Sequence, residues 1–531
     1  MLSTENKTHK IILLIIGSFV LVSGIILFII PPALFPDPGM GFQVLRSMQL
    51  GSGFNVFISP DQSDISQNYT EFITWWSPGQ YLVPYFFKLF AHLNIGQAIA
   101  ITVTLSQFSG LAGFYLFFKK IGFSSKLSAF SLLFIVCQQA FAVPYVYYSG
   151  GEILLFAFEG WFLYGCVFFK KTDLALVLFV LLSGWAGFFF KSSFLWIYTA
   201  GIFCLWIRLS INDRAIWEWI RRGLWIAIPA TISLVVVYVS YLSKGQSPAS
   251  ASSGIKLTWL TFGFPLAAPI LSGFSVDDLF HGLIYHTGKA IVGPEWSIAV
   301  LILLAICSLF LIWGIVKYVQ NENYRLFILT FYIISILFFG YSYLRQLTIS
   351  MEARHFRIVG ILIVPGMVYI VTKLKRLPVL LFSLIPLALA WVNFTYLVKG
   401  FNFNKNLSAK GITGISQPNI DQSSLNYIMK LDNENRNAVF VFVSNDIGLE
   451  ITHNRIITIP PIGDGLNIDD EDYRYEGFSG PLYIVLPESY NGPKEKMIMK
   501  SFPGYTGFEI SPLSDKYILY SAKMRSNFNS Y

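Results

Sequence analysis

The fold of this chain is decided where its first long apolar run ends and a polar loop begins. The run is Ile11 to Ile30, and the loop opens with Phe35-Pro36-Asp37-Pro38-Gly39-Met40-Gly41-Phe42. It closes with Thr74-Trp75-Trp76-Ser77-Pro78-Gly79-Gln80-Tyr81. About 20 apolar residues are enough to cross a bilayer as a helix. The sequence therefore predicts a membrane helix and then a loop with rigid turns, residues 36–78, that holds acidic residues close to the membrane surface.

The composition of the whole chain is that of a membrane protein. Of its 531 residues 54% are hydrophobic and only 13% are charged, whereas soluble domains carry about 25% charged residues. The formal net charge of +8 arises from short basic clusters between apolar runs, which indicates inside loops and argues against a nucleic-acid surface. The four cysteines all lie inside apolar runs without metal-ligand spacing, so we interpret them as small buried residues.

The apolar runs predict a polytopic α-helical membrane protein with about eleven transmembrane helices. The predicted spans lie near 11–31, 95–118, 127–147, 152–169, 174–190, 193–207, 223–242, 297–316, 326–344, 357–372 and 377–398. Segment 80–94 is apolar but short, and it carries Pro84, Lys88 and His92. We interpret it as an interfacial helix that lies on the membrane.

The distribution of Lys and Arg predicts the orientation of the chain, because short basic loops lie on the cytoplasmic side. Alternate loops are basic, beginning with Lys7 and Lys10 at the N-terminus, whereas the 36–78 loop carries only Arg46. We therefore expect a cytoplasmic N-terminus in the cell (inner or plasma) membrane. The segments predicted to lie outside are the 36–78 loop, the turns at Glu152 and Lys191, the 243–296 and 345–356 loops, and the C-terminal tail.

The composition changes after Lys399, where the chain becomes polar with short β-rich runs. Ala438–Val443 and Leu482–Leu486 are predicted to be buried strands, and 421–431 and 493–500 are predicted to be helices. We predict a transmembrane domain, residues 1–399, whose first extracytoplasmic loop spans 32–94. Residues 400–531 are predicted to form a small extracytoplasmic α/β domain.

Asp37 is the leading candidate for a catalytic residue. Pro36 and Pro38 fix the backbone on both sides of it. A carboxylate near apolar surroundings has raised basicity, which suits a general base. The competing interpretation is structural, because Asp-Pro-Gly is a common turn sequence and Asp can cap a helix.

Two further acids lie in or at the helix that begins near residue 152. The helix dipole favours Glu152 at that N-terminus, which is a sufficient structural explanation; the functional interpretation is that it faces Asp37 across an outer cavity. Glu159 lies deeper, where a carboxylate costs about 2.5–3.5 kcal/mol and is either functional or paired.

A cationic group is predicted at the outer ends of the helices: Lys191, Arg354, His355 and Arg357. Positive-inside statistics disfavour these positions, so an anionic partner is expected. Arg suits phosphate because its planar fork donates two hydrogen bonds at once. The alternatives are an ion pair between Arg354 and Glu352, or snorkelling to lipid phosphates. The chain has no Walker or dinucleotide-binding pattern and no Cys/His cluster typical of zinc sites.

Taken in order, these features resemble the GT-C glycosyltransferases, in particular the bacterial branch similar to protein O-mannosyltransferases and to the aminoarabinose transferase of lipid A. The resemblance covers roughly residues 10–400. It rests on Asp37 after one span, the Trp75–Tyr81 motif leading to Leu93-Asn94-Ile95-Gly96, Glu152, the Gly184–Lys191 turn, and Glu352-Ala353-Arg354-His355-Phe356.

The resemblance implies a reaction and a role for each residue. Asp37 would be the general base that activates an acceptor hydroxyl, which attacks the anomeric carbon of a polyprenyl-phosphate sugar with inversion. The basic residues at the outer face would bind the donor phosphate, and Glu152 would be the acid of the second outside loop. Trp75, Trp76 and Tyr81 are assigned to substrate binding.

The chain departs from the family pattern at two places. Many members carry an Asp-Glu pair in the first loop, whereas Pro38 follows Asp37 here. This leaves open whether a divalent cation, Mg²⁺ or Mn²⁺, binds at Asp37 and Glu152. A His-Pro-Pro pattern at the loop end appears here as Trp-Ser-Pro-Gly, which leaves the identity of the sugar open.

The predicted function is inverting glycosyl transfer from a polyprenyl-phosphate donor to a lipid, glycan or protein acceptor, with membrane lipids but no nucleic acid as partners. Two alternatives stay open: a transporter or flippase of lipid-linked glycan, and a non-catalytic membrane scaffold. A transporter predicts broken helices in matching halves and ionisable residues at mid-membrane, whereas polar residues here gather at the outer ends. The variant Asp37→Asn discriminates, because only an enzyme needs the carboxylate.

Overall fold

The protein is a bundle of long apolar helices with a small sheet formed by its C-terminal part. The computed structural model describes residues 2–61, 63–245, 254–280, 283, 292–458, 461–462, 465–466, 480–490 and 501–524. The helices of the first half are α1 Leu2–Ile29, α2 Pro36–Gln49, α3 Gly79–Ala91, α4 Ile95–Ile121, α5 Ser125–Val136, α6 Gln139–Val146, α7 Gly151–Phe168, α8 Leu174–Phe190 and α9 Phe194–Ser210. Those that follow are α10 Ile216–Ser240, α11 Trp259–Gly273, α12 Val276–Leu279, α13 Pro294–Tyr318, α14 Glu322–Leu344, α15 Arg357–Thr372, α16 Arg376–Asn406 and α17 Gln422–Glu434.

The predicted spans are all helical, but not all of them are long enough to cross a membrane unaided. Within the described ranges, 8 helices are long and apolar enough, or up to 9 if a bent pair counts as one span. That pair is α5 and α6, which meet at an angle of 53°. Helices α8 and α9 have 17 residues each, less than the about 20 that a bilayer requires. The chain is a multi-pass membrane protein, and the count of about eleven spans stays a prediction.

Helix α11 lies in a segment that was predicted to be an outside loop. Phe264, Ala267, Ala268 and Leu271 on this helix are fully buried, and the helix packs against α13 and α15. Two prolines at 265 and 269 lie inside it, and prolines argue against a helix interior in a sequence-based prediction. Tertiary packing holds the helix despite them, which is why the sequence did not indicate it.

The first loop is also more regular than predicted, because Pro36-Asp37-Pro38-Gly39 begins helix α2 and does not form an isolated turn. Proline at the first helical position is favoured, since its fixed φ suits the helix and its missing N–H would have no partner there. The strands β2 (Val56–Pro60) and β3 (Asn68–Phe72) follow as an antiparallel hairpin. Within the predicted helix 80–94, residues 80–91 are helical as part of α3, which ends at Ala91.

The bundle is held together by close helix packing. Helices α4 and α7 cross so tightly that a Cβ on Gly160 would collide with the backbone of Phe114. Small residues at a crossing allow this approach, which is typical of helix pairs in membranes. Short parallel pairing of β1 (Ala33–Leu34) with β4 (Tyr147–Tyr148) then ties the start of α2 to the start of α7.

The C-terminal part forms a mixed five-stranded sheet, as the polar, β-rich composition predicted. Its described strands include β5 (Val439–Phe442), β6 (Arg455–Thr458), β9 (Leu482–Pro487), β10 (Tyr505–Pro512) and β11 (Tyr517–Met524), in the order β10-β11-β9-β5-β6. Two short strands, β7 (Pro461–Ile462) and β8 (Gly465–Leu466), pair separately. Helix α17 packs on the sheet through Leu425 and Ile428. The predicted helix 493–500 lies outside the described residues.

The border between the two predicted domains lies in a continuous helix. Helix α16 runs past the predicted border at Lys399 and ends at Asn406. The chain then returns to the bundle, because Ser416 Oγ donates to the Pro31 carbonyl oxygen at 2.6 Å. The C-terminal part therefore contacts the same end of the bundle as the first loop, and the division at Lys399 stays a prediction.

Candidate active site

One cavity of about 490 Å³ lies at the end of the bundle that carries the first loop. Its wall comes from segments that are far apart in the sequence: the start of α2, the 74–80 segment, the start of α7, the turn between α8 and α9, and the 348–355 segment. Asp37, Glu152, Lys191, Arg354 and His355 all line it. The turns that were predicted to share one face of the membrane therefore meet at one place.

Asp37 lies in the first turn of α2, and its side chain is 44% exposed. Phe35 occupies the N-cap position and makes no side-chain cap, so Asp37 does not cap the helix, which was one of the two structural roles that the sequence left open. Loss of solvation raises the pKa of Asp37, while the Arg354 charge lowers it, Glu152 raises it, and Lys191 and a hydrogen bond from Trp76 lower it. The carboxylate is thus accessible and has raised basicity.

Arg354 is shared among three carboxylates. Its Nη1 atom lies 3.8 Å from Asp37 Oδ2 and 3.3 Å from Glu152 Oε1, and its Nε atom lies 2.5 Å from Glu352 Oε2. The ion pair with Glu352 is the structural alternative that the sequence left open, and the structure contains it. The contacts of Arg354 with Asp37 and with Glu152 lie across the cavity. Sequence spacing does not predict either of them.

Lys191 follows the last residue of α8 and forms an ion pair with Glu152, in the first turn of α7. The two side chains are 18% and 16% exposed. Burial lowers the pKa of Lys191, and the neighbouring Glu152 carboxylate opposes this effect. The anionic partner expected for Lys191 is therefore Glu152 when no substrate is bound.

The turn that carries Arg354 is held by an acid that the sequence analysis did not single out as functional. Asp277 Oδ2 accepts a hydrogen bond from the Ala353 N–H at 3.0 Å, and its Oδ1 accepts from Leu283 N–H at 2.8 Å. Asp277 is 5% exposed. A buried carboxylate that bonds two backbone donors fixes both segments, and no sequence motif would have indicated this pairing.

Some of the other predicted site residues line the cavity, whereas others do not. Trp75 and Trp76 line the cavity together with His355, whose Nε2 lies 3.3 Å from Ser350 Oγ. Tyr81 does not line it: this side chain is 1% exposed, and its hydroxyl donates to Asn55 Oδ1 at 2.5 Å.

Arg357 and Glu159 also lie away from the cavity wall. Arg357 Nη2 is 3.7 Å from Asp278 Oδ2, and its Nη1 donates to the Ala140 carbonyl oxygen at 3.4 Å. Glu159 is buried in α7 and, with Arg357, lines a small pocket of about 20 Å³ whose wall also includes Lys191 and Arg354. Arg354 and Arg357 have the spacing that places two side chains on one face of an α-helix, but residues 353–356 form a 3₁₀ turn and α15 begins only at Arg357.

Comparison with known proteins gives a fold but no sequence family. No protein-family model and no curated protein sequence matches the chain. Among solved structures, arabinofuranosyltransferase AftD from mycobacteria is similar at 10% identity and a TM-score of 0.53. The alignment covers 97% of this chain, which spans only 40% of AftD. ArnT from Cupriavidus metallidurans, solved bound to undecaprenyl phosphate, is similar at 10% identity and a TM-score of 0.54, with 96% and 97% of the two chains covered.

The chain has the GT-C fold. The resemblance inferred from the loop acid, the outside turns and their order is thereby confirmed at the level of the fold. Sequence identity near 10% supports a shared architecture but assigns no role to individual residues. The roles of Asp37 and its neighbours are therefore argued from their own geometry.

The residues of this GT-C chain do not fit a divalent cation at Asp37 and Glu152. Within the part of the chain that the structure describes, no group of three or more His, Cys, Asp or Glu side chains is placed to hold a metal ion. Glu152 is already paired with Lys191 and Arg354, and Arg354 also faces Asp37. Lys191 and Arg354 already neutralise much of the charge of Asp37, Glu152 and Glu352, which weakens the attraction of these carboxylates for a further cation.

Proposed function

We propose that this protein is an inverting glycosyltransferase that moves a sugar from a polyprenyl-phosphate donor to a lipid, glycan or protein acceptor at the outer face of the membrane. The observation that carries the proposal is one cavity with an exposed carboxylate, Asp37, facing two cations, Arg354 and Lys191. The three residues come from three separate segments. This is the arrangement that a proton transfer coupled to departure of a phosphate requires.

Asp37 is proposed to act as the general base. Its carboxylate accepts the proton of an acceptor hydroxyl, and the oxygen of that hydroxyl attacks the anomeric carbon. Loss of solvation raises the pKa of Asp37 and so strengthens the base, while the charge of Arg354 limits the rise. A placed base contributes about a hundred- to ten-thousand-fold in rate.

The cations are proposed to bind the donor phosphate. As the new bond to the anomeric carbon forms, the bond from that carbon to the phosphate oxygen breaks, and the electron pair stays on polyprenyl phosphate. Arg354 and Lys191 would stabilise this developing negative charge. His355 and the Trp75–Trp76 pair line the same cavity and are proposed to contact phosphate and sugar respectively.

The multi-pass membrane bundle supports this reaction. A multi-pass bundle holds a lipid-linked donor in the plane in which its prenyl chain is soluble. The ArnT structure, which contains undecaprenyl phosphate, has a similar fold, and we propose the same class of lipid for this chain. An N-terminus in the cytoplasm and a C-terminal domain outside are proposed from the basic loops.

The proposal is tested in two steps. Mass spectrometry of envelope glycans from cells with and without the gene should show one sugar substituent that depends on the protein. Purified protein should then release undecaprenyl phosphate from an undecaprenyl-phosphate pentose or hexose, when an envelope extract supplies the acceptor. If cells without the gene accumulate an intact lipid-linked glycan on one leaflet, and the purified protein releases no undecaprenyl phosphate, a flippase is favoured. That result would overturn the proposal.

A further inference from the structure

Helix α2, which carries Asp37 in its first turn, is bonded along one side to the C-terminal domain. Gln43 is 1% exposed, and its Nε2 donates to the Asn445 carbonyl oxygen at 2.8 Å and to Thr458 Oγ1 at 3.0 Å. A buried side-chain amide satisfied by a distant part of the chain is a specific contact, because leaving it unpaired costs about 1–3 kcal/mol.

One turn further along α2, Arg46 makes a second pair of contacts. Its Nε donates to the Ile451 carbonyl oxygen at 2.8 Å, and its Nη2 donates to the Asn454 carbonyl oxygen at 2.7 Å. Both acceptors belong to the segment that connects β5 to β6. A guanidinium that bridges two backbone carbonyls fixes direction as well as distance, because its donors form a rigid fork.

The third contact lies beside Asp37 itself. Asn445 Nδ2 donates to the Pro36 carbonyl oxygen at 3.2 Å. The backbones approach so closely that a Cβ on Gly39 would lie 3.0 Å from Asn445 Cβ. Gly39 has ordinary helical geometry, so it is the approach of Asn445 that requires glycine here.

We propose that the C-terminal domain positions the catalytic carboxylate: Gln43, Arg46 and Asn445 hold α2 so that Asp37 faces the cavity. The inference rests on the proposed function and assigns the C-terminal domain a role in it. The cations on the other side of the cavity are held by other partners, since Lys191 pairs with Glu152 and the Arg354 turn is bonded to Asp277. Loosening the C-terminal contacts should therefore move the base and leave the phosphate site in place.

The first test removes Arg46. In the full-length purified protein, Arg46→Ala should lower glycosyl transfer roughly ten- to hundred-fold, since a displacement of about 1 Å can cost a hundred-fold. Binding of undecaprenyl phosphate should change less than about two-fold, because Arg46 does not contact the phosphate site. A merely structural role would lower both together as folded protein is lost.

Arg455 provides a matched control. It also joins the C-terminal domain to the first extramembrane segment, and its Nη1 donates to the Ile65 carbonyl oxygen at 2.6 Å. This bond and a second one from the same atom go to the turn of the β2–β3 hairpin, whereas Arg46 lies on α2 itself. Arg455→Ala should keep transfer near the wild-type level; an equal loss in both arginine variants would overturn the inference.

A second test stays informative if Arg46→Ala fails to fold. Gly39→Ala adds one methyl group that would favour a free helix, but here it pushes Asn445 away. It should lower transfer, whereas binding of undecaprenyl phosphate should change less than about two-fold, because the phosphate site is held by other contacts. No loss of transfer in Gly39→Ala, or an equal loss of transfer and phosphate binding, contradicts the inference. If Asp37→Asn itself stays active, the proposed function fails instead, and the two failures are thereby distinguished.

Discussion

Arg354 Nη1 lies 3.8 Å from Asp37 Oδ2 across the cavity, although the two residues are far apart in the sequence. The same atom lies 3.3 Å from Glu152 Oε1. One guanidinium thus links the proposed base to the proposed phosphate site. An arriving phosphate would compete with these carboxylates for Arg354, so donor binding and the basicity of Asp37 are coupled.

The first prediction concerns the base. Asp37→Asn keeps size and polarity but accepts no proton, so glycosyl transfer in a purified assay should fall about a hundred-fold or more. Binding of undecaprenyl phosphate and the unfolding temperature should stay near wild type. Asp37→Glu should also lose activity, because a carboxylate displaced by about 1 Å can lose a hundred-fold in rate.

Asp64 provides the matched control for this prediction. Its Oδ1 accepts hydrogen bonds from Ser66 N–H and Ser66 Oγ within one turn of the hairpin. Asp64→Asn should therefore retain most of the transfer rate. If Asp37→Asn keeps roughly a third of the wild-type rate, far above the loss expected for a missing base, Asp37 is only a helix-start residue and the base must be sought elsewhere.

The second prediction concerns the phosphate. Arg354→Ala should weaken binding of undecaprenyl phosphate roughly ten- to hundred-fold, because a charge-assisted contact contributes about 1.5–3 kcal/mol. The control is Arg357→Gln, which alters a nearby cation that pairs with Asp278 outside the cavity. Equal binding by wild type and Arg354→Ala, measured by titration of the purified proteins, would remove Arg354 from the site.

The third prediction is a pH dependence. Only deprotonated Asp37 can act as a base, so transfer should fall as the pH drops through the pKa of Asp37. Loss of solvation raises that pKa, so the fall in rate at low pH, which forms the acid limb of the profile, should lie above the ordinary aspartate range. The charge of Arg354 opposes this rise in the pKa. Arg354→Gln should therefore shift the limb to higher pH in a pH–rate profile, and a shift to lower pH would refute the coupling.

The fourth prediction concerns the ion pair between Lys191 and Glu152. Glu152→Gln leaves the Lys191 charge without its carboxylate partner at low exposure, and loss of one partner of a buried pair costs about 3 kcal/mol. Lys191→Met costs less, because Glu152 keeps its contact with Arg354. Lys191→Met and Glu152→Gln should each lower the unfolding temperature, and the double variant should lower it by less than the sum. Glu152→Gln should also show transfer intermediate between wild type and Asp37→Asn. Strict additivity would show that the two side chains do not interact.

The fifth prediction is topological. The basic loops predict that a reporter fused after Lys171 is cytoplasmic and that one fused after Lys399 is extracytoplasmic. Cells that express each fusion can be scored with a reporter that is active on only one side of the membrane. A cytoplasmic signal from the Lys399 fusion would place the cavity on the cytoplasmic side and contradict the proposed orientation of the reaction.

The sequence by itself determined the class of the protein and the positions of most of its long helices, and it predicted that the turns at Asp37, Glu152, Lys191 and Arg354 lie at one end of the bundle. These properties depend on local quantities: the length of an apolar run must match the bilayer, and Lys and Arg mark the cytoplasmic ends. The order of the motifs along the chain, together with the side of the membrane predicted for each, was enough to indicate the GT-C fold. The same local patterns also predicted the two buried strands near 438–443 and 482–486.

The tertiary structure alone decided which of the candidate residues meet. Asp37, Glu152, Lys191 and Arg354 share a cavity, whereas Tyr81 and Arg357 do not line it. Helix α11 was missed because buried packing outweighs its prolines. The bonds from Asp277 to the Arg354 turn and from Arg46 to the C-terminal domain join segments far apart in the chain. Ion pairs and hydrogen bonds act over a few ångströms, so which of them form depends on how distant segments pack, and sequence spacing does not encode that.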